Sequence, residues 1–273
     1  EGVVFEEGYV TAPTCAPSRA GILTGRVQNR YGFETQIMEF YPTNMIEYLS
    51  GKYLVNTGEF VVEAKPEFPA EWQVIKQGVP PTEINLAEIL KKYGYTTGLT
   101  GKWHLGVSKN HAPLERGFDY QYGFLGASTL YTPERNWSHV INYVHESFST
   151  KYQWNTGRYG EAAILENGKE MREEEYLTFA IRDKAIDFIG EKSGKPFFLF
   201  LSFNAPHAPL QAPEEYLKKF EHLAVDGEPG VLCRYTQTHI DHPRQVYAAM
   251  VSALDDTIGR VLQALRDSGQ EEN

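Results

Sequence analysis

The apolar positions of this chain follow two rhythms, one helical and one of buried strand. In TEINLAEILKKYGY, the side chains Ile84, Leu86, Ala87, Ile89 and Leu90 fit one helical face, with Thr82 placed as a cap and Gly94 as the stop. REEEYLTFAIRDKAIDFIGEKSG repeats that pattern and turns Leu177, Ala180, Ile181, Ala185, Phe188 and Ile189 inward. The long stretch HPRQVYAAMVSALDDTIGRVLQALRDSG carries Val246, Met250, Leu254, Ile258, Val261 and Leu265 on one side. PEEYLKKF is a shorter helix, and residues 17–25 are another, opened by Pro17 and closed by Gly25. The second rhythm is an unbroken apolar run: KPFFLFLSF suits the middle of a mostly parallel sheet covered on both faces. YTTGLTG reads as a strand, and residues 2–10 alternate loosely as a strand that feeds residue 15. AILENGKEM holds Asn-Gly between two short runs, which signals a hairpin.

Between these elements the patterning fails. Residues 41–81, with Pro42, Pro66, Pro69, Pro80 and Pro81, read as a surface insertion with a short hairpin near 53–63. Residues 108–160, rich in Tyr, Asn, Gly and Pro, read as long surface loops. The alternation of strands and helices predicts an α/β fold, with a mostly parallel central sheet sandwiched by helices. Ligands of such sheets collect at the carboxyl ends of the strands. Three loops follow three predicted strands there; they hold Cys15 with Arg19, Lys102 with His104, and His207.

Bulk composition narrows the partners. A chain of 273 residues with 41% hydrophobic and 23% charged positions is long enough, and apolar enough, to bury a full core. A net charge of −10 argues against nonspecific binding of nucleic acid or anionic membrane, and no apolar run is long enough to span a bilayer. Two cysteines, Cys15 and Cys233, are too few for a disulfide framework, which leaves one bridge open. The opening EGVVFEEGYV has no initiator Met and no leader, and reads as the interior of a longer protein.

Each candidate group has a plain alternative. Cys15, at a predicted helix N-terminus beside the cation Arg19, could hold an anion or act as a sharpened nucleophile; a small buried hydrophobe is the alternative. Arg19 alone could be a surface ion-pair partner. In GKWHLG, Lys102 and His104 are two apart, so an extended backbone puts both on one side and makes an anion-and-proton site. The alternative is a turn with a solvated Lys and a core-capping His. His207 stands in NAPHAPLQAP, where flanking prolines stiffen its loop. Asp255 and Asp256, with Arg260 four residues past the second, read as an exposed ion-paired helix face rather than a metal site. REEE, 172–175, reads as a favourable helix start, and NWS, 136–138, matches the glycosylation acceptor pattern.

Taken together, these segments resemble the type I sulfatases. CAPSRAGILTGR is similar to the first signature of that family, Cys-x-Pro-Ser-Arg followed by Leu-Thr-Gly, and GYTTGLTGKWHLG to the second. FNAPHAP resembles the third active-site segment, and YAAMVSALDDTIGRVLQAL the long helix after it. The resemblance implies an alkaline-phosphatase-like catalytic domain filling residues 1–273, incomplete at both ends, with 41–81 inserted in it. It implies that a separate sulfatase-maturing enzyme oxidises Cys15 to formylglycine, the nucleophile that cleaves sulfate esters of carbohydrates or aryl alcohols. Arg19 would then hold the formylglycine diol, Lys102 would bind a sulfate oxygen, and His104 would take the proton that lets sulfate leave. His207 would bind sulfate or protonate the leaving alcohol. The family also binds a divalent cation, usually Ca²⁺; in this chain only Cys15, once converted, stands at a ligand position, and the other ligands fall outside it. The fragment alone is therefore expected to be inactive, and the complete protein to work outside the cytoplasm, in periplasm, secretions or lysosome. The aromatic-rich segments 41–81 and 120–160 would line the pocket mouth and mildly favour a sulfated sugar. Two other readings share these residues: a phosphonate or phosphodiester hydrolase of the same superfamily, and an inactive truncated glycan-binding pseudoenzyme.

Overall fold

The computed structural model describes residues 6–34, 45, 49, 78–132, 140–143, 157–191, 194–223, 231–232, 239–240 and 243–271. Helix α1 spans Cys15–Thr24 and stops where Gly25 takes a left-handed backbone, φ 65°. Helix α2 spans Leu86–Lys92. Its cap is Asn85, not Thr82. The Asn85 side chain accepts from the N–H groups of Ala87 and Glu88, while the Glu88 carboxylate takes the Asn85 N–H. The late start shortens the inward face: Ala87 is buried, whereas Ile84, Leu86 and Ile89 are exposed.

Strand β1, Thr96–Lys102, lies between β2, Tyr120–Phe124, and β6, Phe197–Ser202, and runs parallel to both. The Asn167-Gly168 turn joins β4, Leu165–Glu166, to β5, Lys169–Glu170, as the expected hairpin, and β4 pairs antiparallel with β2. The sheet order is thus β5-β4-β2-β1-β6. Strand β3, Val140–Tyr143, pairs with β7, Leu210–Pro213, and β8, Val231–Leu232, with β9, His239–Ile240. Helix α3 covers Leu177–Glu191, α4 Glu214–Leu217 and α5 Pro243–Asp267.

Helices cover both faces, as expected of the α/β class. On one face Ala16, Ala20 and Leu23 of α1 and Ala87 of α2 meet Leu99, Trp103 and Phe118, with Phe198 and Phe200 packed beside them. On the other, Ala180 and Ile181 of α3 and Val246, Ala249, Met250 and Ala253 of α5 meet Tyr122 and Leu201. Alternate residues of β6 therefore serve opposite cores. Burying each such large apolar side chain contributes about 1.5–3 kcal/mol.

Several expectations need correction. Residues 6–10 form no strand; all five are exposed, and Tyr9 is 85% exposed, so they have no apolar face to anchor in a sheet. Strand β2 lies inside the segment expected to be loop. YQYGF lacks an aliphatic run, but its aromatic rings fit a buried pleat. Strand β6 is not in the middle of the described sheet: it pairs with β1 on one side, and no described strand takes its other edge. That edge opens on a groove of about 770 Å³ lined by Phe197, Leu199, Leu201, Val261, Leu262 and Leu265. REEE precedes α3 instead of starting it, and Glu173 accepts from the Tyr122 hydroxyl at 2.7 Å. On α5 the buried side runs through Val246, Ala249, Met250, Ala253, Thr257 and Val261, which leaves Ile258 exposed. Asp255 and Asp256 lie on its exposed side, where Asp256 pairs with Lys219 at 3.3 Å, not with Arg260. Among the described residues no helix is long and apolar enough to cross a membrane. The segment 41–81 falls almost wholly outside the described residues, as do the hairpin near 53–63, NWS and Cys233.

Candidate active site at the carboxyl end of the sheet

Cys15 is the first residue of α1, half-buried and in no disulfide. The chain leading to it is held down from one side: Gln28 Nε2 donates to the Thr11 carbonyl at 3.0 Å, and Gly21 leaves room for the Thr11 hydroxyl. One turn along α1, Arg19 projects toward the ends of two strands. Its Nε donates to the Trp103 carbonyl at 2.8 Å, and its Nη2 donates to both the Lys102 carbonyl and the Ser202 hydroxyl. The Ser202 hydroxyl in turn donates to the Lys102 carbonyl at 2.9 Å. A single guanidinium therefore joins α1, the end of β1 and the end of β6. Burial brings its pKa down to about 10, with negative charge on Cys15 acting against that shift, so Arg19 is a cation at neutral pH.

The Lys102–His104 pair is not placed by an extended backbone. Lys102 is the last residue of β1, and His104 has a left-handed backbone, φ 59°. A non-glycine residue in that region is uncommon and carries strain that its surroundings must hold. Here the His104 N–H donates to the Leu125 carbonyl at 3.0 Å and the Trp103 N–H to that of Phe124, while the Trp103 indole donates to the His111 carbonyl. Both Lys102 and His104 are buried. Burial holds the His104 imidazole below its ordinary pKa; a hydrogen bond with Cys15 works upward, and the charges of Lys102 and Arg19 work downward. The imidazole is therefore neutral at neutral pH, near enough to residue 15 to feel its charge, and able to accept a proton.

Cys15, Arg19, Lys102 and His104 thus come together at the carboxyl ends of the strands. His207 lies on the loop after β6. Its imidazole is exposed, with Nδ1 turned to the Ala208 carbonyl at 2.6 Å, and the peptide bonds Ala205–Pro206 and Ala208–Pro209 on either side are cis. The loop is anchored from below: Tyr131 donates its hydroxyl to the His207 carbonyl at 3.0 Å, and Asn204 donates its amide to the Thr129 carbonyl. Sequence reasoning passed over Ser202 and the two carbonyls that receive Arg19. The available signal was slight: Ser202 is the single polar residue in the run FFLFLSF.

A divalent cation finds little here. Among the described residues no three His, Cys, Asp or Glu side chains gather to hold one. Calcium takes roughly six to eight oxygen ligands, whereas the groups around Cys15 are a guanidinium, an ammonium and an imidazole. These residues do not by themselves fit a metal. They fit an anion, whose charge the two cations would offset.

Comparison with known proteins gives a consistent result. The family model described as Sulfatase matches residues 1–273. The chain is 30% identical to the N-acetylgalactosamine-6-sulfatase of Rattus norvegicus over 278 aligned positions, spanning 100% of this chain and 41% of that protein. It is 30% identical to an arylsulfatase of Klebsiella aerogenes, across 97% of this chain and 55% of the relative. Among solved structures, Ps i-CgsB superposes with a TM-score of 0.65 at 29% identity, covering 96% of this chain and 46% of that one. The same protein in complex with k-i-k-neocarrahexaose gives a TM-score of 0.64 at 28% identity. The chain therefore spans about half, or less, of the length of these proteins.

Proposed function

This chain belongs to the sulfatase family, and on that premise we propose that the complete protein hydrolyses sulfate esters with residue 15 as its nucleophile. The observation that carries the reading is the gathering of Cys15, Arg19, Lys102 and a neutral His104 at the carboxyl end of the sheet, where Arg19 is bonded to the carbonyls of Lys102 and Trp103. Once a maturing enzyme has turned Cys15 into formylglycine, its hydrated aldehyde supplies one hydroxyl to attack sulfur and a second whose deprotonation releases sulfate. The other roles fall to unmodified residues. Arg19 fixes residue 15 and offsets negative charge near it. The Lys102 ammonium holds a sulfate oxygen, a fixed charge aimed where charge spreads in the transition state. His104, kept neutral by burial, takes the proton. His207, exposed on the loop after β6, would donate a proton to the departing alcohol. Apart from converted residue 15, the divalent cation of the family would take its ligands from outside the described residues.

The proposed substrate is a sulfated carbohydrate. The name of the rat relative and the oligosaccharide in the Ps i-CgsB complex support that choice. Residues 1–273 would form part of the catalytic domain, with 41–81 as a surface insertion, and the protein would act in the periplasm, secretions or lysosome.

The test is turnover by the complete protein, co-expressed with a maturing enzyme. We expect release of sulfate from para-nitrophenyl sulfate, with Cys15→Ala reducing kcat at least a thousandfold, in keeping with loss of a covalent nucleophile. Residues 1–273 alone should show no turnover. Faster cleavage of bis(para-nitrophenyl) phosphate than of the sulfate would favour the phosphodiesterase reading. A peptide around residue 15 that keeps its thiol mass in the native host would favour the inactive one.

A further inference from the structure

Arg19 stands one turn after residue 15 on α1, so what fixes Arg19 also ties down the helix end that carries that residue. Two of its acceptors are main-chain carbonyls, of Lys102 and Trp103. The third is the Ser202 hydroxyl, the one side chain among the acceptors named. Ser202 is 5% exposed. A hydroxyl offers one donor and two acceptor positions, and this one uses both kinds: it accepts from Arg19 and donates to the Lys102 carbonyl. Its backbone is held equally closely. Ser202 is the register partner of Gly101, and a Cβ at Gly101 would stand 1.9 Å from the Ser202 carbonyl oxygen. The guanidinium carbon also lies 5.7 Å from the centre of the Phe200 ring, two residues earlier on the same strand.

We infer that Ser202 is a positioning residue of the active site: its hydroxyl sets the plane of the Arg19 guanidinium and, through it, the place of residue 15. Without that hydroxyl, Nη2 loses an acceptor in a part-buried site and the Lys102 carbonyl loses a donor. Arg19 keeps its bonds to the Trp103 and Lys102 carbonyls, both at the end of β1, and loses its hydrogen bond to β6. A planar guanidinium braced by acceptors on two strands is oriented; held only by neighbouring carbonyls of one chain segment, it can swing about them. The chemistry at residue 15 then suffers more than substrate binding does, since no group that touches substrate has been removed.

The inference rests on the sulfatase reading for its effect on turnover, but not for its effect on Arg19, so the test reads both. In the complete protein, proton–nitrogen NMR follows the Arg19 Nε–H signal, assigned by its loss in Arg19→Lys. Kinetics with para-nitrophenyl sulfate follow kcat and KM. We expect Ser202→Ala to shift or broaden the Arg19 signal and to lower kcat about tenfold, as loss of one hydrogen bond to a charged group implies, with KM changed less than about twofold. Ser202→Thr, which restores the hydroxyl, should recover both readouts. If Ser202→Ala does not fold, Ser202→Cys takes its place, keeping the volume with only a weak donor. An Arg19 signal unchanged from wild type in the Ala or Cys variant overturns the inference. So does a Thr variant as impaired as Ala. If the wild type cleaves no sulfate ester while the Arg19 signal still responds to Ser202, the functional reading fails and the positioning of Arg19 stands.

Discussion

Gly101 shows how narrowly single residues set this site. Its φ is 111°, in the region that side chains avoid, and any Cβ would overlap the Ser202 carbonyl. Gly101→Ala should therefore cost roughly 3 kcal/mol through strain and displacement of β6. Urea denaturation of the 273-residue chain measures it, and an unchanged midpoint would contradict the close approach. Residues at this scale were unevenly legible. Cys15, Arg19, Lys102 and His104 stand in short segments whose local spacing shows them. Gly101 and Ser202 lie 101 positions apart and gain their roles only when β1 and β6 align in register. No local pattern carries that information. His104 shows the reverse case: it lies beside Lys102 as expected, but the extended backbone used to place it was wrong, because its φ is positive.

At the scale of elements, the apolar stripe of α3 was read closely, whereas that of α5 was read with Ile258 on the wrong side. All six inward residues expected of α3 are buried. Short elements were read less well, because caps and aromatics can outweigh periodicity. Helix α2 illustrates this. Asn85 closes a reciprocal cap with Glu88, and its amide donates to the Arg116 carbonyl at 2.9 Å. Arg116 is itself buried, and donates to the carbonyls of Val79 and Glu83. The cap therefore fastens the start of α2 to the β1–β2 connection. Asn85→Ala should lower stability by about 2 kcal/mol, at the upper end for a cap, and Thr82→Ala by less than about 0.5 kcal/mol. Thermal unfolding of the two variants side by side checks the order, and a reversed order would restore Thr82 as the cap. Strand β2 was missed for a related reason: with glycine and glutamine among its aromatics, it carries no aliphatic alternation to count.

For the molecule as a whole, the layered α/β arrangement followed from the alternation of elements, but the place of β6 in the sheet did not. A continuous apolar run states that both faces are covered; it says nothing about which edges are paired. In the structure the outer edge of β6 has no described partner, and Phe197, Leu199 and Leu201 line a groove with Leu262 and Leu265 of α5, into which Lys195, Gln270 and Glu271 also face. Such a surface is sticky in water. The 273-residue chain should bind an environment-sensitive apolar dye, and Leu262→Glu should reduce the fluorescence at least twofold; equal signals would mean that the groove is covered. The reach of Arg19 bears on how the chain is made. Its three acceptors lie 83, 84 and 183 positions downstream, so the most distant emerges from the ribosome on the order of ten seconds or more after Arg19 itself. Throughout that interval the first turn of α1 has no finished cleft to enter.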